Sequence, residues 1–229
     1  MPLKVTSAGN AGVFIQADGL NVYIDAFFHP VLHVGGPAAL KGADAEKADL
    51  ILITHEHYDH IHPEEVQAAA LASGALVAGP ARAIQLLEHL LPADRLVVLE
   101  PAERKRPPDR QKTAIRGIDV TAYRTYHGRG HNSYLLEIGQ YRVFHDADNE
   151  RTQPYDVEEL GRIDVLLLCP WAGSGAGDFV ARLNPGKWLL IHMTEEEIDQ
   201  HRNGSFLPAL ISPVPPGVVA LRGGESLEM

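Results

Sequence analysis

The sequence predicts an α/β fold of four layers (αββα), in which two β-sheets pack face to face and helices cover both outer faces. Each half of the 229-residue chain begins with short alternating segments, typical of antiparallel strands, and continues with buried strands that alternate with helices. A charged, proline-containing stretch at 101–112 separates the halves. We therefore expect one domain, 1–229, whose pseudo-halves of about 1–100 and 113–229 are joined by this connector.

The first half predicts six strands and two helices. The apolar run 49–54 is continuous, as in a strand buried on both faces. Pro63, followed by two glutamates, is typical of the first turn of a helix. A loop rich in Gly, Pro and His is expected at 29–44. The strands are expected at 4–6, 13–17, 22–25, 49–54, 75–78 and 95–99, and the helices at 63–73 and 81–91.

The second half repeats this order of elements without repeating the sequence. Antiparallel strands come first, and buried strands that alternate with helices follow. The strands are expected near 114–126, 133–138, 140–145, 164–168 and 187–191, and the helices after Pro154, near 178–183 and at 195–201.

Composition limits the partners. The chain has 30 acidic and 20 basic residues, a net charge of −10, which weighs against nucleic-acid binding. The one basic cluster, 104–106, lies in the Pro-rich stretch and is expected to be a solvated connector. Cys169 is the only cysteine, and no signal peptide or membrane-spanning run is visible, so we expect a cytoplasmic protein with a small-molecule substrate and no membrane partner. The sequence predicts no oligomeric state.

The residues with the clearest chemistry follow the buried strand 49–54. His55 and His57 are two apart in extended backbone, so both imidazoles can point toward one ion. Asp59 and His60 come after the chain turns and face another point. This spacing favours two neighbouring metal ions, and imidazole with carboxylate favours zinc, although manganese or iron would also accept these ligands.

An alternative interpretation is a polar loop in which Asp59 only caps the next helix. A shuffled sequence of this composition contains H-x-H-x-D-H on the order of 0.002 times per chain, which disfavours chance. The position of the motif, after a buried strand and before a helix, also agrees with a metal site.

With this motif the chain resembles the metallo-β-lactamase superfamily, and the resemblance extends over nearly the whole chain. It implies the four-layer metallo-β-lactamase fold. The plain layout without insertions, together with Ala147-Asp148, is most similar to the cytoplasmic branch of L-ascorbate 6-phosphate lactonases and general metal-dependent hydrolases.

The resemblance also implies a ligand set. His127 is the better match for the third histidine of the first metal because it ends a strand, and His131 is its competitor. Asp148 aligns with the bridging aspartate, and His192 with the last histidine. The implied sets are His55, His57 and His127 on one ion, Asp59, His60 and His192 on the other, and Asp148 between them.

The function implied is hydrolysis of a small ester, lactone or phosphate-bearing substrate by hydroxide that two divalent ions activate, with Asp59 as the catalytic residue that orients the nucleophile. The ions are expected to be zinc, with manganese or iron as alternatives. Alternative functions are a phosphodiesterase or nuclease, an iron-dependent oxidoreductase on the same scaffold, and a metal-binding domain without catalysis.

Other residues have weaker signals. His131 and Trp171 are candidates for substrate binding; the alternative for His131 is an ordinary loop histidine, and Trp171 could equally pack in the core. Asp146 is expected to be a solvated turn carboxylate, and Asp25 to be the carboxylate partner of a ligand histidine. Two further expectations concern loops: His29 and His33 are expected to be exposed, and 173–177 to be a tight turn.

Overall fold

Two mixed β-sheets form the centre of the computed structural model, which describes residues 1–29, 41–45, 47–102, 109–171 and 175–229. Each sheet has seven strands within those ranges. The strands are β1 (Lys4–Gly9), β2 (Gly12–Ala17), β3 (Leu20–Ile24), β4 (Leu50–Leu52), β5 (Leu76–Gly79), β6 (Leu96–Val98), β7 (Arg110–Ile115), β8 (Ile118–Arg124), β9 (Asn132–Ile138), β10 (Tyr141–His145), β11 (Val165–Leu168), β12 (Lys187–Leu190), β13 (Val218–Ala220) and β14 (Ser226–Glu228).

The first sheet has the order β14-β1-β2-β3-β4-β5-β6. Its first four strands pair antiparallel, and β3 to β6 pair parallel. The hairpin between β2 and β3 turns at Asp18 and Gly19, whose φ angles of 49° and 81° are those of the left-handed turns that match strand twist. The predicted strand signals around this turn are thereby confirmed.

The second sheet has the order β13-β12-β11-β10-β9-β8-β7. Its strands pair antiparallel from β7 to β10 and parallel from β10 to β13. Parallel strands point their carboxyl ends to one edge, so the loops after β10, β11 and β12 emerge side by side.

Helices cover the outer faces. The first runs over the predicted residues, with Pro63 in its first turn and a left-handed Gly74 as its C-cap. The fifth begins with a capping box between Thr194 and Glu197. In the described part of the chain the helices are α1 (Pro63–Ser73), α2 (Ala81–Gln85), α3 (Val157–Leu160), α4 (Ala176–Leu183), α5 (Glu195–Arg202) and α6 (Leu207–Leu210), with short 3₁₀ helices at Gly42–Asp44 and Ala93–Arg95.

Three groups of buried apolar residues separate the layers. Leu52 belongs to the central group between the two sheets. Its neighbour Ile51 points the other way and packs with Val66 of α1, because successive side chains of a strand lie on opposite faces. Beyond the second sheet, Trp188 packs with Phe179 of α4. This arrangement confirms the predicted αββα order.

Some elements differ from the prediction. Helix α2 ends at Gln85 instead of extending to 91, and the chain continues in turns. Strand β7 begins at Arg110, inside the predicted connector, because an edge strand tolerates charged side chains. Strands β13 and β14 and helix α6 were not predicted. Strand β14 pairs with β1, so the end of the chain completes the first sheet and the two pseudo-halves share a layer.

Several predictions concern residues outside the described ranges: His33, the basic cluster 104–106, and residues 173–174 of the glycine-rich turn. In the part of the chain that is described, no helix is long and apolar enough to cross a bilayer. The cytoplasmic location stays a prediction.

Candidate metal centre

Strand ends from both sheets bring the predicted ligands to one edge. The loop after β4 carries residues 55–60, and Asp148 and His192 follow β10 and β12. His127 follows β8, which runs in the same direction as β10 with β9 between them, so its loop emerges at the same edge. The seven predicted ligands form three overlapping groups in which the candidate ligand atoms lie within 4.8 Å of one another. The structure therefore brings all of them together, and their role as ligands stays a prediction.

The first group contains three imidazoles. His55 Nε2 lies 2.9 Å from His57 Nδ1, which lies 3.4 Å from His127 Nε2. A neutral imidazole has one donor and one acceptor nitrogen, so hydrogen bonds alone can satisfy this cluster only in part. A cation between the three nitrogens would satisfy them together.

The second group combines Asp59, His60 and His192. Asp59 Oδ2 lies 3.2 Å from His192 Nε2 and 3.6 Å from His60 Nε2. The two imidazole rings are roughly parallel, with centroids 5.6 Å apart. One carboxylate oxygen therefore faces two ring nitrogens, which is a donor set suited to a divalent ion of the first transition row.

Asp148 joins the two groups. Its Oδ2 lies 3.2 Å from His60 Nε2, 3.3 Å from His192 Nε2 and 3.8 Å from His127 Nε2. Its Oδ1 is buried and has no hydrogen-bond partner among the described residues. Because a buried carboxylate oxygen without a partner is costly, this orphaned atom fits a metal ligand.

The structure places the two candidates for the third histidine in different surroundings. His127 contributes to the first group, whereas the side chain of His131 is fully buried beside it. The backbone N–H of Asp148 donates to His131 Nε2 at 3.3 Å, so Nδ1 carries the proton and donates to Thr125 Oγ1 at 2.7 Å. Both ring nitrogens are engaged and no ring atom is exposed. His131 therefore contacts the backbone of the Asp148 loop, and a role of this residue in substrate binding stays a prediction.

Asp25 contacts one of the histidines of the candidate site, as predicted. The carboxylate is fully buried at the end of β3, and His60 Nδ1–H donates to its Oδ2 at 2.7 Å. Thr54 donates to the same carboxylate through its backbone N–H and its hydroxyl. This contact fixes the tautomer of His60 and leaves Nε2 free to face Asp148. Thr54 was not predicted, and its position directly before the motif is the only sequence signal for it.

Asp146 is buried, contrary to the prediction of a solvated turn carboxylate. It accepts hydrogen bonds from the Tyr155 hydroxyl at 2.6 Å, from Ser133 Oγ at 3.0 Å and from Asn149 Nδ2 at 3.1 Å. Burial raises the pKa of Asp146 to about 7, although these donors favour the charged form. Ser133 lies on β9, and Asn149 and Tyr155 follow Asp146 by three and nine residues, a spacing with no strand or helix period that would have predicted the burial. Ser133 also bonds Thr125, the partner of His131.

Charges in the centre are strongly coupled. Burial disfavours the imidazolium form of His60, but the carboxylates of Asp25 and Asp148 outweigh it and raise the pKa of His60 to about 10. His192 is similar: burial opposes its charge, while hydrogen bonds to Asp148 and Asp59 raise its pKa to about 9. Burial also opposes the charge of Asp148, but the neighbouring imidazoles lower its pKa below the usual range. The site therefore attracts cations.

Trp171 lies on the loop after β11, between the loops that carry Asp148 and His192. Its side chain is 50% exposed, and its ring meets Phe206 edge to face at 5.0 Å. It lines a cavity of about 430 Å³ whose wall includes Thr194, two residues after His192. This exposure excludes the core alternative for Trp171.

His29 differs from its prediction as well. Its ring is partly buried and stacks on His62 with centroids 3.8 Å apart. Burial and the nearby His62 lower the pKa of His29, and Glu64 opposes this effect.

The sequence and fold comparisons agree with this geometry. The family described as Beta-lactamase superfamily domain matches residues 4–183. A UPF0173 metal-dependent hydrolase from Pelotomaculum thermopropionicum is 23% identical over 248 residues, which cover 99% of this chain and 100% of the relative. The UPF0173 metal-dependent hydrolase MK1542 from Methanopyrus kandleri is 39% identical over 59 residues, or 26% of this chain.

Some of these matches are local. They span 24% of the Methanopyrus kandleri protein and 30% of a relative from Exiguobacterium sp.. Among solved structures, the metallo-beta-lactamase fold protein YhfI from Bacillus subtilis covers 100% of both chains with a TM-score of 0.70 at 17% identity. At this identity the likeness shows the shared fold.

Proposed function

The chain belongs to the beta-lactamase superfamily, and on this basis we propose that it is a metal-dependent hydrolase that binds two divalent ions, zinc in the first instance and manganese or iron as alternatives. The observation that carries the proposal is the position of Asp148 Oδ2, 3.2 Å from His60, 3.3 Å from His192 and 3.8 Å from His127. Relatives named metal-dependent hydrolases support it.

His55, His57, Asp59, His60, His127, Asp148 and His192 would hold the ions, which would supply hydroxide at neutral pH and stabilise negative charge on the substrate. The protein's own groups place and orient the reactants. Burial raises the pKa of Asp59, but the hydrogen bond from His192 and the nearby His60 outweigh it and lower the pKa below the usual value. An ionised Asp59 can accept a hydrogen bond from the attacking water and orient it, which is the catalytic role proposed for this residue.

The substrate proposed is a small ester, lactone or phosphate-bearing molecule. The cavity beside Trp171 is large enough for part of such a molecule, and its position after β11 places it next to the loop that carries His192. An indole ring offers a flat apolar surface for the part of the substrate that does not react. The net charge of −10 disfavours the nuclease alternative.

The test is a screen of lactones, thioesters, phosphomonoesters and phosphodiesters with metal-loaded protein. We expect Asp59→Ala to reduce kcat/KM by about 10³-fold while the circular dichroism spectrum is unchanged. Glu56→Gln is the matched control, because Glu56 lies in the same loop and pairs with the exposed Arg82 at 3.0 Å. Equal turnover by wild type and Asp59→Ala would reject the mechanism. Iron content without hydrolysis of any of these substrates would instead favour the oxidoreductase alternative.

A further inference from the structure

Asn10 lies in the hairpin between β1 and β2, at the edge of the first sheet that faces the metal centre. Its backbone is left-handed, with a φ of 49°, and its side chain is 6% exposed. A hairpin of this kind often contains asparagine for its backbone alone, since asparagine tolerates positive φ. Burial of the amide indicates that the side chain has a further role.

The contacts of Asn10 reach two residues of the second group. Its Nδ2 donates to the backbone carbonyl of Asp59 at 2.7 Å and lies 3.4 Å from Asp59 Oδ2. The backbone carbonyl of Asn10 accepts a hydrogen bond from the backbone N–H of His192 at 2.9 Å. His192 also has a positive φ, 61°, a backbone conformation that is unfavourable for residues other than glycine or asparagine. Contacts with neighbouring residues must therefore stabilise it. One hairpin residue therefore holds two ligands that are 133 residues apart.

The orientation of the amide is determined by its neighbour. The carbonyl of Asp59 can only accept, so the nitrogen of the Asn10 amide must face it. The other amide atom, Oδ1, is buried and has no hydrogen-bond partner among the described residues. Asn10 also lines a small cavity with Ser7 and Glu195, of about 10 Å³, which is close to the space that one water needs.

We propose that Asn10 is a positioning residue that fixes Asp59 relative to His192, so that the ion bound by Asp59, His60 and His192 is held tightly. This inference rests on the two-ion site of the proposed function. It predicts that the loss of the amide weakens the second ion and leaves the ion of His55, His57 and His127 unchanged, because the contacts of Asn10 include none of those three residues.

The experiment is a titration of the apo protein with Zn²⁺ against a chelating dye. Asn10→Gly removes the amide and also relieves the positive φ, so it separates the side-chain contact from backbone strain. We expect the affinity of the second ion to fall by about 10- to 100-fold and that of the first to stay within about threefold. Asp18→Gly is the matched control, because Asp18 has the same φ of 49° in the exposed hairpin between β2 and β3. It should bind both ions as the wild type does.

Asn10→Asp distinguishes a hydrogen-bond donor from a space-filling group. The new carboxylate oxygen would face the Asp59 carbonyl at the 2.7 Å now occupied by a donor, so we expect a loss at least as large as that of Asn10→Gly. Wild-type affinity in Asn10→Asp would overturn the inference.

Two further backgrounds assign the effect to one ion. In the His127→Ala variant the ion that still binds tightly is the one held by the second group, and adding Asn10→Gly should lower the affinity for this ion. In His192→Ala the second group is already incomplete, and Asn10→Gly should change nothing. An equal loss in both backgrounds, or a wild-type protein that binds only one ion, would overturn the inference. The readout is ion binding, so a protein that binds two ions as described but hydrolyses no substrate contradicts the proposed function alone.

Discussion

Asp25→Asn tests how the protein prepares His60 for a metal ion. In the wild type, Asp25 Oδ1 accepts from the Thr54 backbone N–H at 2.8 Å, and Oδ2 accepts from His60 Nδ1–H at 2.7 Å. Asparagine preserves the shape and can keep Oδ1 in place. Its Nδ2 then faces His60 Nδ1, which must become the acceptor, and the imidazole proton moves to Nε2. Nε2 is the atom that faces Asp148 at 3.2 Å, so the lone pair needed for an ion is lost.

The expected magnitudes follow from these contacts. Substitution of a group that orients a metal-bound histidine typically reduces affinity by 10- to 100-fold, or about 1.4 to 2.8 kcal/mol, and we expect this loss for the second ion. The charged hydrogen bonds that Oδ2 accepts from His60 Nδ1–H and from the Thr54 hydroxyl lose their charged acceptor in a fully buried position, which costs about 1.5–3 kcal/mol of stability. For a chain of this length each kcal/mol shifts the melting temperature by about 2–4 °C, so it should fall by about 3–12 °C.

The assay is Zn²⁺ titration of the apo protein together with calorimetric melting. Asp49→Asn is the control, because Asp49 lies at the opposite end of β4 and accepts one backbone hydrogen bond, from Asn21 at 2.8 Å. It should lose some stability and no ion. If Asp25→Asn bound both ions with wild-type affinity, the proposed orientation of His60 would be wrong.

Three other changes have defined outcomes. Asp146→Ala leaves the buried Tyr155 hydroxyl without its acceptor. It also removes one acceptor each from Ser133 Oγ and Asn149 Nδ2, which keep the backbone carbonyls of residue 146 and of Arg151. Urea unfolding should therefore show a loss of about 3 kcal/mol. Protonated His60 and His192 stabilise the apo protein, because their pKa values in the folded state, about 10 and about 9, lie above the usual 6.5. This stabilisation is fully present below pH 6.5 and is lost as the pH rises through 9 to 10. Both imidazoles must lose a proton to bind an ion, so Zn²⁺ uptake at pH 7 should release up to two protons, measured by calorimetry in buffers of different ionisation enthalpy. Trp171→Ala should raise KM by about 10-fold and leave the ion affinity unchanged. An unchanged KM would show that the cavity beside Trp171 is not part of the substrate-binding site.

The sequence predicted the layers and the cluster at residues 55–60 because both depend on local patterns. The continuous apolar run before His55 and the alternation around Asp18 each reflect how a strand is buried, and the structure has strands at both places. The resemblance placed His192 at the end of a late strand, and parallel pairing of β10, β11 and β12 brings it beside Asp148. The layers thus follow from periodicity, and the positions of Asp148 and His192 were implied by the resemblance.

Other features depend on contacts between distant residues, which no local pattern shows. His127 and His131 are four residues apart in the loop between β8 and β9, yet the ring of His131 is fully buried and that of His127 lies with His55 and His57. Asp146 is buried because Tyr155 and Ser133 supply donors from other elements. Asn10 reaches Asp59 across 49 residues of sequence.

The position of bound metal tests the central claim most directly. A crystal grown with Zn²⁺ and measured on both sides of the zinc absorption edge should show two anomalous peaks, one among His55, His57 and His127, the other among Asp59, His60 and His192, with Asp148 between them. A single ion, or ions bound away from Asp148, would contradict the account.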